Sequence, residues 1–107
     1  ENTPPDAKIN VEILGERPCG AAADQRAQRE LEDAALQALA EYAGSKPNPT
    51  AGSTDCNIPL SLGIPSVCFG MYRGEGAHTR EEWIEPESMR QGMKAVTALL
   101  LNWFEGP

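Results

Sequence analysis

Two stretches of apolar residues at three- and four-residue spacing constrain this chain most, because each must lay one face on something else. In the first, Leu31, Ala34, Ala35, Ala38, Leu39 and Tyr42 form a stripe between Asp24, a suitable N-cap, and Gly44 with Pro47, which end it. The opposite face carries Arg26, Arg29, Glu30, Glu32 and Asp33, an ordinary solvated surface. In the second, Met89, Met93, Val96, Leu100 and Phe104 form the expected buried stripe, with Leu99 and Trp103 beside it. Glu85-Pro86 opens this helix, Pro86 suiting the first position. Gly92 inside it either costs about 1 kcal/mol relative to Ala or marks a close contact.

Between and before the helices the pattern is that of strands. Residues 1–7 read as a loop, and Lys8 to Leu14 then alternates, with Ile9, Val11 and Ile13 facing one way. That period predicts a half-buried strand with one wet face, ended by the glycines and Pro18 of residues 15–23. Cys56 to Leu62 predicts a short helix limited by Pro59 and closed by Gly63, with Asp55 as its cap. Ile64 to Phe69 is a continuous apolar run, the pattern of a parallel strand buried on both faces. Gly70 to Ala77 has three glycines and no periodicity, and reads as a loop. The order predicts an α/β fold: a short, mostly parallel sheet with flanking helices, plus one leading strand of different character. One small sheet does not explain both strand types, so two sheets, and two domains, are expected.

Composition narrows the function. A chain of 107 residues allows one domain at most and one modest core. The net charge of −7, with no basic patch, argues against nucleic acid or anionic lipid as partner. The longest apolar run is Ala98 to Leu101, too short to span a bilayer, and no basic start precedes an apolar stretch, so no signal peptide is expected. Cys19, Cys56 and Cys68 are odd in number and form no Cys-x-x-Cys pair, which predicts buried reduced thiols in a reducing compartment.

Two stretches have chemical potential. Gly74-Glu75-Gly76-Ala77-His78-Thr79-Arg80-Glu81-Glu82-Trp83 sets the sole histidine behind a glycine loop and ahead of acids. A neutral imidazole is the commonest zinc ligand, and Glu81 or Glu82 can orient its second nitrogen. Taken alone, a lone loop histidine is a weak signal and reads first as a surface bystander. Gly52-Ser53-Thr54-Asp55-Cys56-Asn57 offers two hydroxyls and free amides at a helix start, a seat for a carboxylate. Helix capping alone also accounts for Asp55.

Taken together, the Ser53–Pro65 segment (Ser-Thr-Asp-Cys-Asn-Ile-Pro-Leu-Ser-Leu-Gly-Ile-Pro) and Gly76-Ala77-His78-Thr79-Arg80-Glu81-Glu82-Trp83 resemble the C-terminal end of one family. It is the family of zinc-dependent peptidases and deacylases that includes peptidase T, carboxypeptidase G, aminoacylase and acetylornithine deacetylase. Arg17-Pro18-Cys19-Gly20 is similar to the Arg-Pro-x-Gly that follows the last strand of that family's lid domain. The resemblance implies that His78 is the last metal-ligand histidine of a two-zinc site. It implies that Ser53, Thr54 and Asp55 line the pocket for the substrate's terminal carboxylate, with Gly76 in the wall leading to the metal. Arg17 matches a lid arginine for the same carboxylate, beside its plain reading as a solvated turn residue.

The departures from the family pattern are as informative. The early His-x-Asp, the bridging Asp, the Glu-Glu pair that provides the base, and a further carboxylate have no counterpart here, and Glu81-Glu82 does not stand in their place. One imidazole cannot hold zinc in a site needing three or four ligands. The resemblance therefore implies the C-terminal portion of such an enzyme: residues 8–20 from the end of the lid domain and 24–107 from the catalytic domain. The parent would hydrolyse a peptide or acyl-amino acid with zinc-activated water, dimerise through its lid and reside in the cytoplasm. The fragment alone is expected to be inactive, without tight zinc binding. A non-catalytic α/β interaction module is the alternative. A thiol enzyme using Cys56 or Cys68 with His78 is a weaker third.

Overall fold

The computed structural model describes residues 4–106. In chain order the elements are α1 (Gln25–Ala43), α2 (Asn57–Ser61), β1 (Arg73–Glu75), β2 (Trp83–Glu85) and α3 (Ser88–Glu105).

Helix α1 begins and ends where its residues dictate. The Asp24 carboxylate accepts the N–H groups of Arg26 and Ala27, both at 3.0 Å, satisfying two donors that the first turn leaves free. Gly44 ends the helix at φ 62°, a left-handed conformation that costs glycine little, and its N–H donates to the Leu39 carbonyl. The buried face of α1 is Ala35, Ala38 and Leu39, and it meets Ala95 and Leu99 of α3 to form the core. With mostly methyl-sized side chains between them, the two helices approach closely.

That small core corrects the expectation for α3. Its buried residues are Ser88, Gly92, Ala95 and Leu99, a stripe turned from the expected one. Met89, Met93, Leu100 and Phe104 lie on the exposed side, Phe104 being 83% exposed. Of the expected stripe only Val96 is half-buried. Close packing on the alanines of α1 selects the small residues of α3, and the large ones turn outward. Pro86 stands just ahead of the helix, its carbonyl accepting the Met89 N–H at 3.1 Å. Gly92 marks a close contact: a Cβ there would run into the backbone of Met71.

The sheet also differs from expectation. Among the described residues the only strands are β1 and β2, an antiparallel pair with Arg73 opposite Glu85, Gly74 opposite Ile84 and Glu75 opposite Trp83. The molecule is a small α/β arrangement, and β1 falls in the stretch expected to be loop. Neither predicted strand forms, because a strand needs a neighbour and neither has one here. Lys8 to Leu14 packs on nothing, with Val11 86% exposed. In Ile64 to Phe69, Val67 and Phe69 rest against the core while Ile64 and Cys68 face outward, so the segment is buried on one side only. Ser66 takes its backbone partners from the Gln28 side chain instead of a strand. The cysteines differ likewise: Cys19 and Cys68 are exposed and Cys56 half-buried, all three free.

The surface is large for the mass. The chain exposes 9112 Å², whereas a folded monomer of 11.5 kDa exposes about 5,800 Å². Its radius of gyration is 19.1 Å, against about 13 Å for a compact domain of this length. No described helix is long and apolar enough to cross a membrane.

Candidate functional site

The first group of candidate residues meets across a long sequence separation. Arg17 Nη1 donates to Ser53 Oγ at 2.8 Å, both residues exposed. The chain around them explains how residue 17 reaches residue 53. At Gly20 a Cβ would stand only 3.0 Å from the Leu60 carbonyl and the Ser61 Cα, so the turn lies directly on α2. The Ala23 N–H then donates to the Gly63 carbonyl at 3.1 Å, and Ala22 is buried beside it. Gly63, at φ 78°, is the residue that turns that carbonyl round.

The turn at Ser53 to Asn57 is held by Thr54 and Asn57. Thr54 Oγ1 accepts the Cys56 N–H at 3.2 Å, and Asn57 Oδ1 accepts the Thr54 N–H at 3.4 Å. This corrects the expected cap: the N-cap position of α2 is Cys56, with no side-chain cap bond, and the Asp55 carboxylate is exposed. Asp55 is thereby left without the structural duty that would have explained it.

The second group is the turn joining β1 to β2. Gly74 sits opposite Ile84, and a side chain there would strike the Trp83 carbonyl. The Gly76 carbonyl accepts both the Thr79 N–H at 2.9 Å and the Thr79 hydroxyl at 2.6 Å, closing the turn on itself. His78 lies inside this turn at φ 67° and is the one non-glycine with positive φ among the described residues. That conformation costs a non-glycine residue on the order of 1 kcal/mol. Glu82 Oε2 accepts the backbone N–H of His78 at 3.3 Å, so the acid holds the main chain and not the ring. The imidazole is left exposed.

No hydrogen bond joins the two groups among the described residues. A cavity of about 940 Å³ opens between α1, the 47–57 loop, α2 and the 66–70 segment. Thr54 lines it, but Arg17, Ser53, Asp55, Gly76 and His78 stand outside. Among the described residues no three or more His, Cys, Asp or Glu gather closely enough to hold a metal ion. The donors present therefore do not fit a zinc site by themselves; His78 is a single exposed donor.

Residues 7–102 match Peptidase family M20/M25/M40. The chain belongs to this family. The matched span of the M20 chain takes in Arg17, Ser53, Thr54, Asp55, Gly76 and His78. An M20 lineage is that of metal-dependent hydrolases, generally zinc-dependent, and no group of donors among the described residues could hold such a metal ion. No curated protein and no solved structure matches the M20 chain.

Two residues of this M20 chain play parts that their sequence setting hides. Gln28 lies among the charged residues of the solvated face of α1, yet its side chain holds Ser66. Ser88 follows Glu85-Pro86 as an ordinary helix-start residue would, and it is the buried polar residue that joins both strands of the hairpin.

Proposed function

We propose that this chain is the C-terminal portion of a metal-dependent exopeptidase or amidohydrolase of the peptidase T, carboxypeptidase G, aminoacylase and acetylornithine deacetylase type. Residues 8–20 come from the end of its lid domain and 24–107 from its catalytic domain. Arg17 and Ser53, with Thr54 and Asp55, bind the terminal carboxylate of a peptide or acyl-amino acid. His78 is one donor to a two-zinc site whose other ligands and general base lie in polypeptide outside these residues, with Gly76 shaping the wall beside it. The parent dimerises through its lid and works in the cytoplasm, where three free thiols persist.

The observation that carries this reading is the Arg17–Ser53 contact. Two residues 36 positions apart, each matched to the substrate carboxylate on separate motifs, lie 2.8 Å from one another. A guanidinium and a hydroxyl side by side offer several donors to one carboxylate, the pairing that makes charge-assisted bonds strong. The excess surface supports the second half. An area of 9112 Å² is about 3,300 Å² above that of a self-sufficient monomer, an excess as large as an extensive protein interface. The same excess counts against a free-standing interaction module with one finished core.

The test is the continuous polypeptide read from the gene that encodes this chain. Its preceding segment should carry His-x-Asp and Glu-Glu, and the whole should hydrolyse dipeptides, tripeptides or acyl-amino acids. In it, Arg17→Ala should raise KM about 10- to 100-fold with kcat nearly unchanged, the expected loss of a charged hydrogen bond in binding. His78→Ala should lower zinc content and kcat. Sub-micromolar zinc affinity or turnover by residues 1–107 alone would overturn the fragment assignment.

A further inference from the structure

The hairpin that carries His78 is tied to the helical core by a buried hydroxyl at both of its strands. Ser88, the first residue of α3, is 5% exposed. Its Oγ accepts the Arg73 N–H at 2.7 Å and donates to the Glu85 carbonyl at 2.6 Å. Arg73 and Glu85 are opposite partners at the open end of the hairpin, so one side chain holds β1 and β2 at the same rung. Their side chains also pair, Arg73 Nε to Glu85 Oε2 at 2.9 Å, but at 60% and 43% exposure. A pair so open to water contributes little. The buried hydroxyl is the firmer anchor, since either backbone group left unmatched beside it would lose a bond.

One turn further along α3, Gly92 lets the backbone of Met71 lie against the helix, which fixes the approach to β1. The next buried residues on that face, Ala95 and Leu99, are the α3 half of the core. The path from core to His78 is therefore continuous: Ala95 and Leu99, then Gly92 and Ser88, then Arg73 and Glu85, then the self-closed turn. The turn's own bonds among Gly76, Thr79, His78 and Glu82 set its internal shape. They do not set its direction relative to α3; the Met71 seat at Gly92 and the two Ser88 bonds do, and only the Ser88 bonds hold both strands.

We propose that Ser88 is a positioning residue for His78, orienting the β1–β2 hairpin on α3 so that the imidazole is presented in one direction. This rests on the assignment of His78 as the functional residue of the turn.

The test is by NMR on the full 107-residue chain, using residual dipolar couplings and amide exchange. In the unaltered protein the couplings of residues 73–85 should fit the same alignment frame as α1 and α3. In Ser88→Ala they should shrink and leave that frame, and the Arg73 amide should exchange about 10-fold faster, the loss of one hydrogen bond. The α1 and α3 amides should keep their protection, and Ser88→Thr, which retains the hydroxyl, should restore the hairpin couplings. Hairpin couplings unchanged in Ser88→Ala would overturn the proposal. So would an equal loss of protection throughout α1 and α3, or a folded Ser88→Thr that behaves as Ser88→Ala. None of these readouts involves zinc, so failure of the metal assignment, seen as unaltered zinc content in His78→Ala of the continuous enzyme, is distinguishable.

Discussion

The side-chain amide of Gln28 binds the backbone of Ser66 at both of its polar groups. The Ser66 N–H donates to Gln28 Oε1 at 2.8 Å, and Gln28 Nε2 donates to the Ser66 carbonyl at 2.9 Å. A carboxamide has one donor side and one acceptor side, as a peptide unit does, so Gln28 does for Ser66 what a neighbouring strand would. Glu32 Oε1 accepts the second Nε2 proton at 2.8 Å, which orients the amide. This pairing lays the Ile64–Phe69 segment along α1 and turns Val67 and Phe69 toward the core.

Gln28→Ala should therefore destabilise the chain by about 1–3 kcal/mol, because both bonds go and partly buried backbone groups lose their partner. Gln28→Glu should be harmful as well: a carboxylate cannot donate to the Ser66 carbonyl and would stand beside Glu32. Urea titration measures the loss, and faster exchange at Ser66 would localise it.

Replacing Gly92 separates helix propensity from packing. Alanine is favoured in a helix interior by about 1 kcal/mol, yet its Cβ would collide with the Met71 backbone. Overpacking against backbone costs about 1–3 kcal/mol, so Gly92→Ala should lower the melting temperature on balance. A rise would mean that the Met71 segment yields freely.

His78→Gly should act in the other direction. Glycine adopts φ near 67° without a Cβ penalty, and its gain is offset in part by the freedom it adds to the unfolded chain. A net stabilisation of up to about 1 kcal/mol is expected, measured by chemical denaturation. The same substitution should lower zinc content in the continuous enzyme, as with His78→Ala. More stability with less function would mark His78 as a residue kept for its imidazole.

Residues 8–14 should be unprotected from hydrogen exchange in the isolated chain, while the buried amides of α1 and α3 are protected. The segment pairs with nothing here, and an unpaired strand pattern of this kind is a template for association. Strong protection of residues 8–14 in a monomer would contradict this, and would favour a self-contained module.

What the sequence determined by itself was local. The cap at Asp24, the stop at Gly44, the existence of two long helices and the order of the two motifs are properties of neighbouring residues, and they appear where expected. The tertiary structure decided which partner each apolar face would meet. Periodicity chose Met89, Met93 and Leu100 as the buried side of α3, but the alanines of α1 admit only small residues, and the helix turned accordingly. Alternation predicted strands at Lys8–Leu14 and Ile64–Phe69, but a strand is a relationship between two segments, and Gln28 occupies that relationship at Ser66. The Arg17–Ser53 contact and the Ser88 anchor are likewise encounters between residues distant in the chain. Motifs named these positions as chemistry-bearing or ignored them, and only folding could bring them together.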